Sequence, residues 1–288
     1  MADAVIQRQM ALLRDRVGRF FGNRARERRR LLDTLNTMKG FAAPVFLFGG
    51  VVRDLMIHGA TMSPRDVDLV VSTVDLRDVT AAFSESFTRR NRFGGLHLTI
   101  EGWHFDVWPL AQTWAFRENI FSDASFENLP KTTFLNIEAI AVRLDTEERR
   151  YREVHSHGFF EALSTRTLEI NSEANPYPSL CVLRSLIMAE TLRFSVGPKL
   201  ANYICEHANV DEVDELMRVQ WEHYKRQPYD SDTLKSWLAA VVRQRRLTKR
   251  SPVQLPHRPK QLSFIEASRP RTGNNTLRRQ QNRVRTWR

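Results

Sequence analysis

The stretch from Val45 to Val71 constrains the fold more than any other part of this sequence. It begins with the apolar run Val45–Phe48, which predicts a buried strand, breaks at Gly49 and Gly50, and continues to His58 with helical spacing. Because glycine has no side chain, the backbone at this turn can approach an anion, and the first amides of the helix would point toward that anion. The pattern therefore predicts a phosphate-binding strand, glycine turn and helix.

Two acidic residues occupy the start of the next predicted strand. Asp66 and Asp68 flank Val67 and precede an apolar run, and the period of two puts both carboxylates on one face. Neighbouring carboxylates repel each other, so a cation is expected between them, and Mg²⁺ (or Mn²⁺) suits oxygen ligands at this spacing. The combination predicts a site for a nucleoside triphosphate (NTP) substrate, with metal ions binding the attacking and leaving oxygens.

The motif GGVVRD followed by DVD resembles the poly(A) polymerase and CCA-adding enzyme family of template-independent RNA nucleotidyltransferases, whose head domain carries a GGxVRD turn and a DxD strand. The matching residues are Gly49, Gly50, Val52, Arg53, Asp54, Asp66 and Asp68. The resemblance implies an α+β fold, with a nucleotidyltransferase head domain built on a short mixed β-sheet and an all-α neck domain. It also implies nucleotide-binding roles for Gly49, Gly50, Arg53 and Asp54.

A third aspartate lies in a predicted hairpin formed by residues 97–100 and 103–110. Asp106 is flanked there by Phe105 and Val107, and a single aspartate inside an apolar strand needs a partner. Because the family places a third carboxylate in a similar segment, Asp106 is expected to join Asp66 and Asp68 as a catalytic and metal-binding residue. The alternative is an aspartate that caps a turn at a strand end.

Two later segments are similar to further family motifs. Residues 133–142 resemble its RRDFTxNAxA segment, although the family's asparagine falls on Glu138, and Lys131 stands in for one of its arginines. Residues 178–194 are similar to its first neck helix, in which Arg184 matches an arginine. Lys131 and Arg184 are therefore further candidates for nucleotide binding.

The neck also departs from the family pattern. Arg184 lies in an apolar helical stripe and needs an anionic partner, which Glu169, Glu173 or the nucleotide could provide. The family's base-selecting ED-x-x-R segment is not recognisable, so the sequence does not predict which nucleotide is used.

The positive charge of the chain is concentrated at its two ends. The net charge is +11, residues 1–30 carry nine arginines against three acids, and fourteen basic residues from Arg243 onward face only Glu266. Such clusters either form a solvated surface or bind RNA phosphates. The candidate RNA contacts are Arg28, Arg29, Arg30, Arg278 and Arg279.

The remaining features bound the class of protein. No apolar run approaches the roughly 20 residues of a membrane helix and no signal peptide is visible, so we expect no membrane partner and a cytoplasmic location. Cys181 and Cys205 are expected to be reduced core residues. The predicted domains are an amphipathic basic helix at 1–40, the head at 41–150, the helical neck at 151–247 and a disordered basic C-terminal tail at 248–288.

The expected function is transfer of a nucleoside monophosphate from an NTP to an RNA 3′ end by a two-metal mechanism, with release of pyrophosphate. The acceptor could be of the tRNA or the poly(A) type. One alternative is a nucleotidyltransferase that modifies a protein or small molecule, as in a defence or toxin system. Another is a catalytically degenerate head domain that binds RNA. The oligomeric state is not predicted.

Overall fold

A seven-stranded mixed β-sheet forms the centre of the structure. The computed structural model describes residues 2–22, 33–40, 44–62, 64, 66–73, 75–91, 94–100, 102–146, 151–208 and 210–257. Met1–Pro256 form one compact unit, and His257–Arg288 form a second, of which only His257 is described.

The sheet has the strand order β3-β4-β5-β2-β1-β6-β7, and only the β2–β5 pair is parallel. The strands are β1 (Val45–Phe48), β2 (Val67–Val71), β3 (Phe87–Arg90), β4 (Leu96–Ile100), β5 (Trp103–Pro109), β6 (Ile140–Arg143) and β7 (Val154–Ser156). The mixed sheet of the predicted α+β fold is therefore confirmed, as is the hairpin of β4 and β5.

Alternation along the strands separates two faces of the sheet. Leu69 and Val107 belong to the main core under the helices, whereas Val70 on the opposite face joins a smaller apolar cluster with Phe46. Asp68 shares the second face because side chains two residues apart in a strand point the same way. The carboxylates thus lie on the face that the main core leaves accessible.

The described residues of the first half of the chain include helices α1 (Ala2–Gly22), α2 (residues 33–40), α3 (Gly50–His58), α4 (Arg77–Ala82) and α5 (Trp114–Arg117). Helix α1 is amphipathic, since it buries Leu13 and Val17 at helical spacing. Arg16 on α1 donates to the backbone carbonyl oxygens of Leu55 and Met56. This contact caps the C-terminal end of α3 with a cation.

The second half of the chain is mostly helical. Its helices are α6 (Phe159–Thr165), α7 (Pro178–Leu192), α8 (Pro198–His207), α9 (Val213–Tyr224) and α10 (Ser231–Leu247). A two-stranded parallel ladder, β8 (Thr167–Leu168) and β9 (Ser195–Val196), interrupts the neck that was predicted to be all helical. None of the helices in the described part of the chain combines the length and the apolar character of a membrane-spanning segment.

Several local predictions differ from the structure. Residues 87–90 form edge strand β3 and residues 154–156 form edge strand β7, which the sequence patterns did not predict. Pairing with a neighbouring strand decides both. Cys181 is buried, but Cys205 is exposed because α8 buries the side that carries Tyr203 and Ile204.

The first residues of the predicted tail, which begins at residue 248, pack against the rest of the structure. Val253 pairs with Val196, Leu255 is buried, and Trp237 Nε1 donates to the carbonyl oxygen of Pro256 at 3.1 Å. These contacts use apolar side chains that lack periodicity in the sequence. The rest of the predicted tail, residues 258–288, lies outside the described residues.

Candidate active site

A cleft of about 620 Å³ opens between the exposed carboxylate face of the sheet and the helices of the second half of the chain. It is lined by Phe48, Gly49, Gly50, Val51, Arg53, Asp54, Asp66, Asp68, Trp108, Thr133, Glu138, Arg184, Met188, His223 and Tyr224. The cleft therefore brings together the predicted glycine turn, the predicted aspartate pair and Arg184, although they are far apart in the sequence.

The glycine turn has a backbone geometry that requires glycine at its first position. Gly49 has φ +67° and ψ −125°, and its carbonyl oxygen accepts hydrogen bonds of 3.1 Å from the amides of Val52 and Arg53. These bonds start α3, and the amides of Gly50 and Val51 before them have no partner within the helix. The positive end of the α3 dipole thus faces the cleft.

The three predicted acids lie at one end of the parallel strand pair. Asp68 on β2 is in register with Asp106 on β5, so their side chains share one face. Asp66 and Asp68 both line the cleft, as the period of two predicts. Asp106 is not among the lining residues, and its Oδ1 contacts Nδ1 of His97 on β4.

The donor chemistry of this group fits a hard divalent cation. Asp66, Asp68 and Asp106 offer carboxylate oxygens only, which Mg²⁺ and Mn²⁺ prefer. Within the described residues, no three His, Cys, Asp or Glu side chains form a ready-made metal cluster.

An ion-pair network around Glu138 links the two sides of the cleft. Nη1 of Arg53 donates to Oε1 of Glu138 at 2.8 Å, and Nη2 of Arg184 donates to Oε2 of the same carboxylate at 3.2 Å. Nε of Arg53 also donates to Oδ1 of Asp54 at 2.8 Å. Asp54 thus helps to orient the guanidinium of Arg53.

Neighbouring carboxylates and burial shift the pKa values of Arg53 and Arg184 in opposite directions. Burial alone lowers the pKa of Arg53, but the carboxylates of Glu138 and Asp54 outweigh it, and the net pKa is raised. Glu138 is also the main cause of the raised pKa of Arg184, against the effect of burial. Both guanidinium groups therefore remain cationic inside the cleft.

The structure identifies the anionic partner of Arg184. It is Glu138, whose side chain is only 15% exposed. Glu169, one predicted partner, instead accepts hydrogen bonds from the amides of Lys199 and Leu200 at the start of α8. Sequence comparison missed this because Glu138 occupies an asparagine position of the family motif.

The remaining predicted contacts lie elsewhere. Lys131 is not among the cleft-lining residues, and its Nζ donates to Oδ1 of Asn128 at 2.8 Å. The five candidate RNA-binding arginines, Arg28, Arg29, Arg30, Arg278 and Arg279, lie outside the described residues.

Two site residues on α9 were not predicted from the sequence. His223 and Tyr224 end this helix and line the cleft beside Arg184, with Met188 of α7 next to them. Neither residue belongs to a motif recognised in the sequence, so no local signal pointed to them.

Solved structures of CCA-adding enzymes are similar to this chain. An apo form of a CCA-adding enzyme is 16% identical, with 80% of this chain and 53% of that chain covered and a TM-score of 0.53. The Bacillus stearothermophilus CCA-adding enzyme in complex with CTP is 19% identical, with 75% and 52% covered and a TM-score of 0.51.

This chain spans about half the length of those enzymes. No protein-family model matches the sequence, and neither does any curated protein sequence. Similarity at this level of identity extends to the fold, which agrees with the fold predicted from the GGVVRD and DVD motifs. The chain therefore has the nucleotidyltransferase-type fold of the CCA-adding enzymes that it resembles.

Proposed function

We propose that this protein is a template-independent nucleotidyltransferase that adds a nucleoside monophosphate from an NTP to an RNA 3′ end. The observation that carries the proposal is the position of Asp66 and Asp68 in the same cleft as the glycine turn and the start of α3. A phosphate-binding turn next to paired carboxylates suits phosphoryl transfer between two bound substrates. The fold shared with CCA-adding enzymes supports the same class of reaction.

Backbone amides and side-chain cations hold the triphosphate in the cleft. The amides of Gly50 and Val51 donate to phosphate oxygens at the positive end of α3. Arg53, whose side chain is only 14% exposed, is fixed by Asp54 and Glu138 and adds a guanidinium beside this turn. Arg184 approaches from α7 and contributes a second cation.

The reaction is an in-line displacement at the α-phosphorus. The 3′-hydroxyl oxygen of the RNA forms a new bond to this phosphorus while the bond to the oxygen that bridges the α- and β-phosphates breaks. Pyrophosphate leaves with the electron pair, and the hydroxyl proton is released to solvent. The residues of the cleft contribute by holding the triphosphate in line with the attacking oxygen.

Asp66, Asp68 and Asp106 are the residues that would hold divalent metal ions. When bound, such ions lower the pKa of the attacking hydroxyl and neutralise charge on the leaving phosphate. The in-register pairing of Asp68 with Asp106 keeps two of these carboxylates on neighbouring strands of a rigid sheet. Because Asp68 and Asp106 lie on hydrogen-bonded strands, their carboxylates are held more precisely than they would be on a loop.

Each predicted domain has its own role in the proposed reaction. We propose that residues 41–150 act as the catalytic head and residues 151–247 as a neck that contacts the nucleotide, since the cleft is lined by residues of both. Residues 1–40 and 248–288 carry the concentrated positive charge and would bind RNA phosphates.

The proposal is tested with each of the four labelled NTPs, Mg²⁺ and RNA, followed by a denaturing gel. Matched RNAs that end in a 3′-hydroxyl or a 3′-deoxy nucleotide serve as acceptor and control. We expect label only on the hydroxyl-terminated RNA. Label on the protein itself would indicate a protein acceptor, and no product with any NTP would contradict the proposed reaction.

A further inference from the structure

We propose that His223 and Tyr224, the last two residues of α9, form the surface against which the nucleobase of the bound triphosphate stacks. This inference rests on the proposed function, because it specifies where the base lies once the phosphates occupy the glycine turn. It gives the cleft a base-contacting wall that neither the sequence motifs nor the shared fold provides.

The arrangement of the cleft restricts where a base can bind. The glycine turn and Arg53 lie on the sheet side, whereas His223 and Tyr224 line the same cleft from α9. The phosphates and the base are opposite ends of a nucleotide, so a triphosphate held at the turn directs its base away from α3. The cleft volume of about 620 Å³ lies within the range of roughly 300–1,000 Å³ typical of small-ligand pockets.

The chemistry of this wall suits an aromatic ligand. The two rings have centroids 4.6 Å apart and planes at 86°, an edge-to-face contact that orients one ring against the other. Tyr224 is half-buried and packs against the main core, which limits its freedom before a base arrives. Met188 adds a polarizable apolar side chain to the same part of the cleft.

Arg184 connects this wall to the phosphate side. It reaches Glu138 from α7, and Tyr224 lies near enough to contribute to the raised pKa of its guanidinium. The Arg184 guanidinium can therefore contact a bound nucleotide between its phosphates and its base.

A stacking wall predicts weak selectivity among the bases. Every base has a π-face, so stacking tolerates all four, and the larger purine faces gain more contact than the pyrimidine faces. We therefore expect purine triphosphates to bind with slightly higher affinity than pyrimidine triphosphates. A recognisable edge-reading segment of the ED-x-x-R type is also missing from the sequence.

Calorimetric titration of the full chain with ATP, CTP and inorganic tripolyphosphate tests this inference. Tripolyphosphate reports on the phosphate site alone, because it has no base. The double variant His223→Leu with Tyr224→Leu should weaken ATP binding roughly tenfold and leave tripolyphosphate binding within about twofold. Tyr224→Phe alone, which keeps the ring, should retain ATP affinity.

The matched control is Trp221→Leu, which removes an aromatic ring from the same helix. Trp221 is 57% exposed and does not line the cleft, so its loss should not change ATP binding. Unchanged ATP affinity in the double variant, or equal weakening of ATP and tripolyphosphate, would overturn the stacking role.

The same titrations separate this inference from the proposed reaction. A wild-type chain that binds tripolyphosphate as tightly as ATP has a phosphate site without a base wall, which contradicts the inference alone. ATP binding that depends on His223 and Tyr224, combined with no extension of RNA, would support the inference and contradict the proposed acceptor. Binding of neither ligand would overturn both.

Discussion

Nη1 of Arg53 donates a 2.8 Å hydrogen bond to Oε1 of Glu138, which ties the first turns of α3 to the 3₁₀ turn before β6. Arg184 of α7 reaches the same carboxylate from the helical side of the cleft. One carboxylate thus joins the glycine turn at the start of α3 to helix α7.

Glu138→Gln should destabilise the protein, because it leaves two guanidinium groups with a weaker partner. We expect a loss of roughly 1.5–3 kcal/mol in the free energy of unfolding, the usual range for hydrogen bonds to charged groups. Urea denaturation measures it, with Glu85→Gln as the control because Glu85 is exposed. Equal stability of the two variants would show that the network contributes nothing to folding.

Gly49→Ala should disrupt the turn that faces the proposed phosphates. A side chain at φ +67° is strained, and we expect a cost of roughly 1–3 kcal/mol together with weaker tripolyphosphate binding. Gly40→Ala is the control, since an added Cβ there meets nothing within 4 Å. Urea denaturation and calorimetry distinguish the two variants, and a fully stable Gly49→Ala protein would contradict the account of the turn.

Asp145 should make stability depend on pH in the acid range. Burial would raise the pKa of this carboxyl, but bonds from Arg143 and the Val45 amide outweigh it and lower the pKa below its ordinary value of about 3.9. A lowered folded-state pKa means that the stabilisation is complete above the unfolded-state pKa and is lost as pH falls through the folded-state pKa.

Asp145→Asn should therefore be less stable than the wild type at neutral pH and should lose less stability on acidification below about pH 4. Urea denaturation from pH 7 down to pH 3 measures the difference. Parallel curves for the two proteins would assign the acid sensitivity to other carboxylates.

Removing carboxylates from the strand pair should weaken metal binding in the presence of ATP. The free Mn²⁺ signal in electron paramagnetic resonance falls as the ion binds, and we expect a smaller fall with Asp68→Asn and Asp106→Asn combined. Asp78→Asn is the control, because Asp78 is exposed on α4. A double variant that retains wild-type Mn²⁺ binding would remove these two carboxylates from the proposed metal site.

The basic C-terminal segment should contribute a salt-dependent share of RNA affinity. Replacing Arg278 and Arg279 with alanine should weaken binding of all RNA sequences and reduce the salt slope by up to about 1.4, or roughly 0.7 for each charge. Fluorescence anisotropy at several salt concentrations measures the slope. Arg89→Ala with Lys235→Ala removes two exposed cations that lie outside the two basic ends of the chain and serves as the matched control.

Much of the fold could be predicted because local signals and tertiary structure agree. The apolar run of β1, the glycine turn and the helical spacing of α3 each indicate the element that forms. Helix α8 in the predicted helical neck begins with a proline at its first position, as helix starts favour. Asp66 and Asp68 meet the turn because β2 runs beside β1.

The features that were missed depend on contacts between distant residues. Edge strand β3 forms through pairing with β4, which no short-range pattern encodes. Glu138 forms its two ion pairs only because α3 and α7 bring Arg53 and Arg184 to it. Tyr224 lines the cleft because α9 packs beside α7. Such convergence follows from the packing of whole elements rather than from residue spacing.

The central claim is that Asp66 and Asp68 support nucleotidyl transfer in the cleft beside the glycine turn. Its most direct test is incorporation of labelled nucleotide into hydroxyl-terminated RNA by the wild type and by the combined variant Asp66→Ala and Asp68→Ala, with folding checked by circular dichroism. The account predicts that the folded double variant incorporates no detectable label while the wild type extends the RNA. Incorporation by the double variant at the wild-type rate would contradict it.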